Sequence, residues 1–121
     1  MKYKEDDLQK VTARYLDSLG VLWCHVANER KSSPQAGARL KSKGVKSGVP
    51  DVVIFEPRGT LNGLAIELKV KPNKVSNNQL EWLSRLDKNN WATAVCYSID
   101  SVICVVDEYL KIGNYGMDRC K

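Results

Sequence analysis

The sequence predicts a single α/β domain, more narrowly an α+β arrangement in which helices flank a central mixed sheet. Its 121 residues, 43% of them hydrophobic, are enough for one core and too few for two domains. Amphipathic runs of helix length alternate with shorter apolar runs of strand length. Their order is helix, three strands, helix, strand and a closing helix, with no internal repeat, which favours layers of helix and sheet.

The first part of the chain predicts one helix and one strand. Apolar side chains recur at helical spacing in residues 5–19, and Gly20 ends the pattern. Residues 21–27 predict a strand. The segment 30–48, rich in glycine, serine and basic residues, predicts a loop.

A hairpin is predicted after this loop. Residues 51–55 and 64–70 have the composition of strands, and residues 57–63 between them contain strong turn signals. The remaining elements are a helix capped by Ser76 and ending near Lys88, a strand over 91–97 and a helix over 100–110. The last of these also suits a strand because of its β-branched residues. We expect the core to span about 5–110 and the tail, 113–121, to be frayed.

Positive charge is concentrated in the predicted loop. The chain has 19 basic and 14 acidic residues, a net charge of +5. Residues 30–48 contain six basic residues and no acidic one: Arg30, Lys31, Arg39, Lys41, Lys43 and Lys46. Such a segment favours contact with a polyanion such as nucleic acid, and Ser47 is a further candidate phosphate contact. The alternative is an ordinary solvated loop.

Composition argues against several functional classes. No apolar run approaches the roughly 18 residues of a membrane helix. The N-terminus lacks the apolar stretch of a secretory signal, so we expect a cytoplasmic protein with thiol cysteines. Cys24, Cys96 and Cys104 lie in apolar runs without zinc-type spacing and are expected in the core. His25 is expected to be a satisfied, half-buried strand residue, and no organic cofactor is indicated.

Three charged residues of the predicted hairpin carry the candidate chemistry. Glu67 and Lys69 alternate with Ile66 and Leu68, so the strand should be apolar on one face only. Asp51 opens the paired strand, where its carboxylate can reach the same sheet edge. The alternative is that Asp51 is a turn residue and that Glu67 and Lys69 form an exposed ion pair, worth ~0–1 kcal/mol.

A divalent cation would offset the repulsion between the two carboxylates, because neighbouring carboxylates resist joint ionisation. Oxygen ligands favour Mg²⁺ or Mn²⁺, and the backbone carbonyl of Leu68 is a candidate third ligand. A metal held here would polarise a phosphodiester and lower the pKa of a bound water. Lys69 would position that water or help to activate it.

The first helix offers a further acid. At 100° per residue, Glu5 lies about 50° from the centre of the apolar stripe, whereas Asp6 and Asp7 lie much farther round. Glu5 can therefore face inward, to bind the metal through a water or to hold Lys69. The alternative role is complementation of the helix dipole, worth ~0.3–1 kcal/mol.

The spacing Pro50-Asp51, fifteen residues, then Glu67-Leu68-Lys69 resembles the PD-(D/E)xK nuclease superfamily, whose restriction-endonuclease-like core has the order αβββαβ. From residue 5 to about 103 the chain further resembles one branch, the VRR-NUC (virus-type replication-repair nuclease) domain. The matching pieces are Gln9 with an acidic residue in the first helix, Asn28-Glu29, and segments 37–41, 46–51, 66–69 and 79–82.

The resemblance implies that residues 1–121 form one metal-dependent DNA endonuclease domain. It implies that Asp51 and Glu67 bind metal, that Lys69 is catalytic, and that Gln79 orients the water or the lysine. The small phage members that the chain most resembles are similar to Holliday junction resolvases and act as homodimers, so branched DNA is the implied partner, with a four-way junction favoured.

Other interpretations stay open. One is a monomeric flap or nick nuclease in DNA repair, and another is a DNA-binding module without cleavage. Gln79 can be an ordinary residue of a helix start, and Trp82 a core or dimer-contact residue rather than one that stacks on bases.

Overall fold

The computed structural model describes residues 4–27 and 33–113 and confirms the predicted fold class. Four helices flank one four-stranded sheet with the strand order β1-β2-β3-β4. The elements are α1 (Glu5–Leu19), β1 (Trp23–His25), α2 (Pro34–Ser42), β2 (Val52–Ile54), β3 (Leu64–Leu68), α3 (Asn77–Lys88), β4 (Ala92–Cys96) and α4 (Ile99–Lys111). The expectations for Asn28, Glu29, Arg30, Lys31 and residues 114–121 lie outside the described residues.

The sheet is mixed, as predicted. β1 pairs with β2 and β2 with β3 in antiparallel fashion, so the expected hairpin is present, whereas β3 and β4 are parallel. The chain passes through α3 between these two parallel strands, because parallel neighbours need a crossover connection. β2 and β3 are therefore the central strands, and β1 and β4 form the edges.

One face of the sheet carries the main apolar core. Leu64, Ile66 and Leu68 of β3 point to this face, and all three are buried. They pack in one cluster with side chains of α1 and α4: Leu8, Leu16, Val102, Val106 and Tyr109. Burial of this apolar surface is the largest favourable contribution to folding.

The opposite face of the sheet, which carries Glu67, is also covered and is not open to solvent. All five residues of β3 are buried, including Ala65 and Glu67. The reason is that α3 packs against β3 and β4. Leu83 is the buried apolar residue of α3. A strand between helices on both faces must be buried along its whole length.

The first and last helices have the predicted positions. In α1, Leu8, Thr12 and Leu16 recur every four residues and are buried, and Gly20 ends the helix at φ 71°. In α4, Ser98 caps the N-terminus by accepting a hydrogen bond from the Ser101 amide at 3.1 Å. Its buried residues, Val102, Val106 and Tyr109, follow helical periodicity, which settles this segment as a helix rather than a strand.

The segment predicted as a basic loop contains a helix, so that prediction was wrong for residues 34–42. The Ser33 hydroxyl accepts a hydrogen bond from the Ala36 amide at 3.0 Å, and Pro34 occupies the first turn. Serine at the N-cap followed by proline is a helix-start signal, which the glycine and serine content had masked. Arg39 and Lys41 thus project from a helix, and Gly37 is its buried residue.

Two of the cysteines expected in the core are exposed. Cys96 is buried in β4, but Cys24 and Cys104 are exposed, and all three are free thiols. Cys24 lies on an edge strand with one neighbour, and Cys104 lies between the two buried positions Val102 and Val106 on the outer side of α4. No helix in the described ranges is long and apolar enough to cross a membrane.

The connection that leads into β2 is held against the start of α3. The Asn78 side-chain amide donates to the Ser47 hydroxyl at 2.9 Å. Gly48 has φ +92°, and a Cβ atom there would lie 2.8 Å from the backbone carbon and oxygen of Asn78. Only glycine fits this close approach, which fixes the chain just before Asp51 relative to α3.

Replacing Gly48 with alanine should therefore destabilise the protein more than the same change at Gly44. Gly44 has a similar φ, +94°, but open space around its Cβ position. We expect Gly44→Ala to lower the free energy of unfolding by about 1–2 kcal/mol through backbone strain alone. Gly48→Ala should add about 1–3 kcal/mol from steric overlap. Urea denaturation of the two variants measures the difference, and equal losses would contradict this account of Gly48.

Candidate metal centre and active site

The strand register brings Asp51 and Glu67 together. In the β2–β3 ladder Val52 lies opposite Ile66, so the next position along places Asp51 opposite Glu67. Directly opposed residues of an antiparallel pair have side chains on the same face, with Cβ atoms about 4.5–5.5 Å apart. The two carboxylates thus meet on the face covered by α3, at the start of β2.

Just before the first residue of β2, the backbone ladder with β3 is interrupted, and the Asp51 side chain lies beside the resulting gap. The backbone amide of Leu68 donates to Asp51 Oδ2 at 2.8 Å, in place of a backbone carbonyl. On the other side of β3, the Lys69 amide donates to the Cys96 carbonyl of β4. Because the N–H and C=O of one strand residue point to the same side, the Leu68 carbonyl also faces the gap next to Asp51. This is the direction that its predicted role as a ligand requires.

Glu67 is the most enclosed charged residue of the site, with an exposed fraction of 1%. Its Oε2 atom lies 2.9 Å from the Gln79 side-chain nitrogen, which donates to it, and 3.9 Å from Lys69 Nζ. Its Oε1 atom is buried and has no hydrogen-bond partner among the described residues. The interpretation of Glu67 and Lys69 as an exposed surface pair is therefore wrong, since their side chains are 2% and 12% exposed.

Gln79 links the start of α3 to the buried carboxylate. Its side-chain oxygen accepts a hydrogen bond from the Ser76 amide at 2.8 Å, and its own amide donates to the Ser76 hydroxyl at 3.2 Å. This capping box fixes the orientation of the side-chain amide, because the backbone N–H of Ser76 requires an acceptor. The nitrogen is thereby directed at Glu67. Gln79 is thus a residue of the helix start, and its side-chain nitrogen contacts Glu67 rather than Lys69.

Glu5 joins the same group from α1. One carboxylate oxygen from each of Glu5, Asp51 and Glu67 lies within 4.8 Å of the others. The other two acids of the first turn face elsewhere: Asp6 pairs with Lys10 on the surface, and Asp7 accepts from the Lys4 amide. The helical geometry that singled out Glu5 thus agrees with its placement in the structure.

Without a cation, the neighbouring carboxylates repel one another and resist joint ionisation. Burial raises the pKa of Glu67 from its ordinary 4.5 to about 8, and repulsion by the Asp51 carboxylate adds to the rise. The negative charge of Glu5 acts in the same direction, and only the positive charge of Lys69 opposes the rise. At neutral pH a proton on Glu67 therefore takes the place of a positive ion.

The donor set fits a hard divalent cation. Three carboxylates converge, the Glu67 Oε1 atom lacks a partner, and the Leu68 carbonyl faces the same gap. These donors are all oxygen atoms, which is the ligand type of Mg²⁺ and Mn²⁺. A cation at this point would replace the proton on Glu67 and relieve the repulsion among the acids.

Comparison with known proteins identifies the family of this chain. The model of the VRR-NUC domain family matches residues 3–100. The chain belongs to this family. A solved structure described as a VRR_NUC domain protein shares 30% sequence identity, covering 94% of this chain and 93% of its own, with a TM-score of 0.74. Among curated proteins, none matches.

A second solved structure described as a VRR_NUC domain has the same fold. It shares 24% identity and a TM-score of 0.63, covering 89% of this chain and 99% of its own. Membership of the VRR-NUC family makes this chain a nuclease domain, as the motif resemblance had implied. The two acids and the lysine of that motif are the residues that the structure brings to one point.

The predicted DNA contacts that the structure describes lie on α2 and on the connection between α2 and β2 of this VRR-NUC domain. Arg39 and Lys41 project from α2, Lys43 caps its end, and Lys46 follows in the connection to β2; all four are exposed. Ser47 is also exposed, and its hydroxyl is bonded to Asn78. Arg30 and Lys31 lie outside the described residues.

Sequence reasoning missed the contact that His25 makes with the site. His25 Nδ1 lies 2.8 Å from the Asp51 carbonyl oxygen, which can only accept, so Nδ1 carries the proton. His25 is exposed rather than half-buried. The register of β1 would have revealed it, since His25 lies opposite Val52. Gln9 follows Glu5 by one helical turn, and its side-chain nitrogen is buried without a partner among the described residues.

The raised pKa of Glu67 predicts how stability depends on pH. The folded chain holds this proton more tightly than the unfolded chain, so unfolding releases a proton between pH 4.5 and about 8. The stabilising contribution is complete below pH 4.5 and is lost as the pH rises, with a slope of at most about 1.4 kcal/mol per pH unit.

Chemical denaturation in EDTA, at intervals from pH 5 to 8.5, measures this slope. Glu67→Gln cannot release the proton, so its stability should fall less steeply over the same range. Parallel curves for the wild type and Glu67→Gln would show that Glu67 titrates normally in the folded protein.

Proposed function

We propose that this protein is a divalent-metal-dependent DNA endonuclease that hydrolyses phosphodiester bonds in branched DNA. The observation that carries the proposal is the buried Glu67 carboxylate, whose Oε1 atom has no partner while Asp51 and Glu5 converge on it. A structural ion pair would leave no oxygen unpaired at this depth. An arrangement that awaits a cation accounts for it.

Asp51, Glu67 and the Leu68 carbonyl would hold Mg²⁺ or Mn²⁺, with Glu5 as a further ligand directly or through a water. Such an ion supplies Lewis-acid polarisation of the phosphate and a more acidic bound water. Lys69 Nζ is 3.9 Å from Glu67 Oε2, beyond the range of a strong charged hydrogen bond, so its donors stay available. Lys69 thus orients the attacking water or contacts the scissile phosphate.

Gln79 and His25 hold the two principal carboxylate residues in place. Gln79 donates to Glu67 Oε2 and keeps that oxygen directed away from the gap, which leaves Oε1 for the cation. His25 donates to the Asp51 backbone carbonyl, next to the side chain that binds the Leu68 amide. Both residues act through the acids rather than on the substrate.

The exposed cations near the site support DNA as the substrate. Arg39, Lys41, Lys43 and Lys46 form a basic surface on α2 and the connection that follows it. Contacts between such residues and phosphates give salt-sensitive affinity with little choice of sequence. A surface of this kind suits an enzyme that selects DNA by its structure rather than by its sequence.

A homodimer that cuts four-way junctions is the favoured form of this activity. Paired incisions on a junction with two-fold symmetry need two related sites, which a C2 dimer provides. The alternatives are a monomeric nuclease for flaps or nicks and a DNA-binding module without cleavage. The convergence of three acids with Lys69 argues against the last of these.

Removing either principal acid should abolish cleavage. Asp51→Asn and Glu67→Gln each leave too few charged ligands for a divalent cation, so Mn²⁺-dependent cutting should fall by at least about 100-fold. DNA affinity should survive. Products are mapped on four-way junction, flap, splayed and linear duplex DNA, with binding measured in parallel.

Asp6→Asn is the matched control, because Asp6 lies next to Glu5 in α1 but pairs with Lys10 on the surface. It should cut like the wild type. Full cutting by either Asp51→Asn or Glu67→Gln would remove this site as the catalytic centre.

The oligomeric state separates the two nuclease forms. Size-exclusion chromatography with light scattering at micromolar concentration should give twice the 13.6 kDa chain mass. A junction should receive symmetric cuts on opposite strands. A 13.6 kDa particle that cuts flaps in preference to junctions would favour the monomeric alternative instead.

A further inference from the structure

A groove leads away from the candidate active site along α3. Two adjoining cavities of about 460 and 490 Å³ form it, and Lys46, Glu81 and Trp82 line both. The first cavity reaches Gln79, whose side chain is bonded to the buried Glu67 carboxylate. The second continues to Asn89, the C-cap residue that follows α3. We call this continuous surface the α3 groove.

The α3 groove has room for several linked small groups. Its ends are ten residues apart on α3, a length of ~15 Å at a rise of about 1.5 Å per residue. Each cavity falls in the range of small-molecule sites, roughly 300–1,000 Å³. One strand of stacked nucleic acid carries one phosphate per about 3.4 Å of helix axis, so the groove spans a few nucleotides.

The lining combines positive charge with an aromatic ring. Three cations contribute, Lys41, Lys46 and Arg85, against the single carboxylate of Glu81. The apolar part consists of Leu40, Val45, Trp82 and Leu86. A track of cations that follows a backbone, interleaved with an aromatic platform, is the arrangement that binds single-stranded nucleic acid.

We propose that the α3 groove binds a single-stranded DNA segment next to the scissile phosphate, with one base stacked on Trp82. The inference rests on the proposed nuclease function, because the groove begins at the residue that holds Glu67. Lys41, Lys46 and Arg85 contact the phosphates. Ser47 and Asn78, bonded to each other in the wall of the first cavity, offer further polar contacts.

This assignment explains how phosphate contacts, which carry little sequence information, combine with one stacked base to favour branched DNA. Bases in a continuous duplex are stacked on both faces and cannot receive an indole ring, whereas bases at an opened branch point or in a flap can. Substrates with unpaired nucleotides beside the cut would gain the stacking contact, and fully paired duplex would not.

Binding to a single-stranded 12-nucleotide probe tests the proposal. Fluorescence anisotropy is measured in EDTA, so that no cutting occurs. Trp82→Ala should weaken binding by about 5- to 100-fold, the usual cost of losing one base–aromatic stack. Trp82→Phe keeps an aromatic face and should stay within a few-fold of the wild type.

Two further comparisons do not depend on how well Trp82→Ala folds. Arg85→Gln should reduce the salt dependence of log Kd by about 0.7, as expected for one lost phosphate contact on a single strand, whereas Lys88→Gln, on α3 but outside the groove, should not. With the wild-type protein, a probe of the same length that lacks its bases should bind several-fold more weakly than the normal probe.

Equal affinity for the probe with and without bases would overturn the proposal, because only phosphates would then be bound. So would equal salt dependence of Arg85→Gln and Lys88→Gln. A Trp82→Ala variant that binds the probe normally but changes from dimer to monomer would assign the groove to a second copy of the chain and would also overturn it.

Failure of the groove and failure of the nuclease give different results. If Mn²⁺-dependent cutting is present but single-strand binding ignores Trp82, the groove assignment is wrong and the nuclease stands. If the probe binds through Trp82 but no DNA substrate is cut with Mg²⁺ or Mn²⁺, the groove assignment stands and the proposed function is wrong.

Discussion

A carboxylate buried at the centre of the sheet sets the conditions that the rest of the site meets. Burying a charge without compensation is costly, so Glu67 must be protonated, paired or bound to a cation. The surrounding residues provide partial compensation: Gln79 donates a hydrogen bond, and Lys69 brings a positive charge within 3.9 Å. Asp51 and Glu5 act against it, because they add negative charge at the same point. Such a balance is unfavourable for stability alone and is typical of a site that binds a cation.

The site also depends on where β2 begins. Gly48 and Pro50 precede the strand, and Gly48 lies against α3, so the Leu68 amide meets the Asp51 side chain instead of a backbone carbonyl. An open position beside β3 results, with the Leu68 carbonyl facing it. The close approach of Gly48 to Asn78 ties this opening to the start of α3, where Gln79 lies. The backbone geometry and the catalytic geometry therefore share the same few residues.

The two faces of the sheet divide stability from chemistry. α1 and α4 cover one face with a continuous apolar cluster, while α3 covers the face that carries Glu67. α3 contributes both Gln79, which contacts Glu67, and the wall of the α3 groove, so this helix links the candidate active site to the proposed track for single-stranded DNA. The proposed selection of branched DNA depends on this coupling, since unpaired bases must be bound at a fixed distance from the cut.

The sequence by itself determined the elements whose signals are local. Periodicity and capping residues placed α1, α3 and α4, alternation and turns placed the hairpin, and the spacing of Asp51, Glu67 and Lys69 indicated the chemistry. Tertiary structure alone decided the burial of Glu67, the bond from Gln79, the support by His25 and the exposure of Cys24 and Cys104. These features depend on strand register and on which helix covers which face, and both result from packing between residues far apart in the chain, which local patterns do not encode.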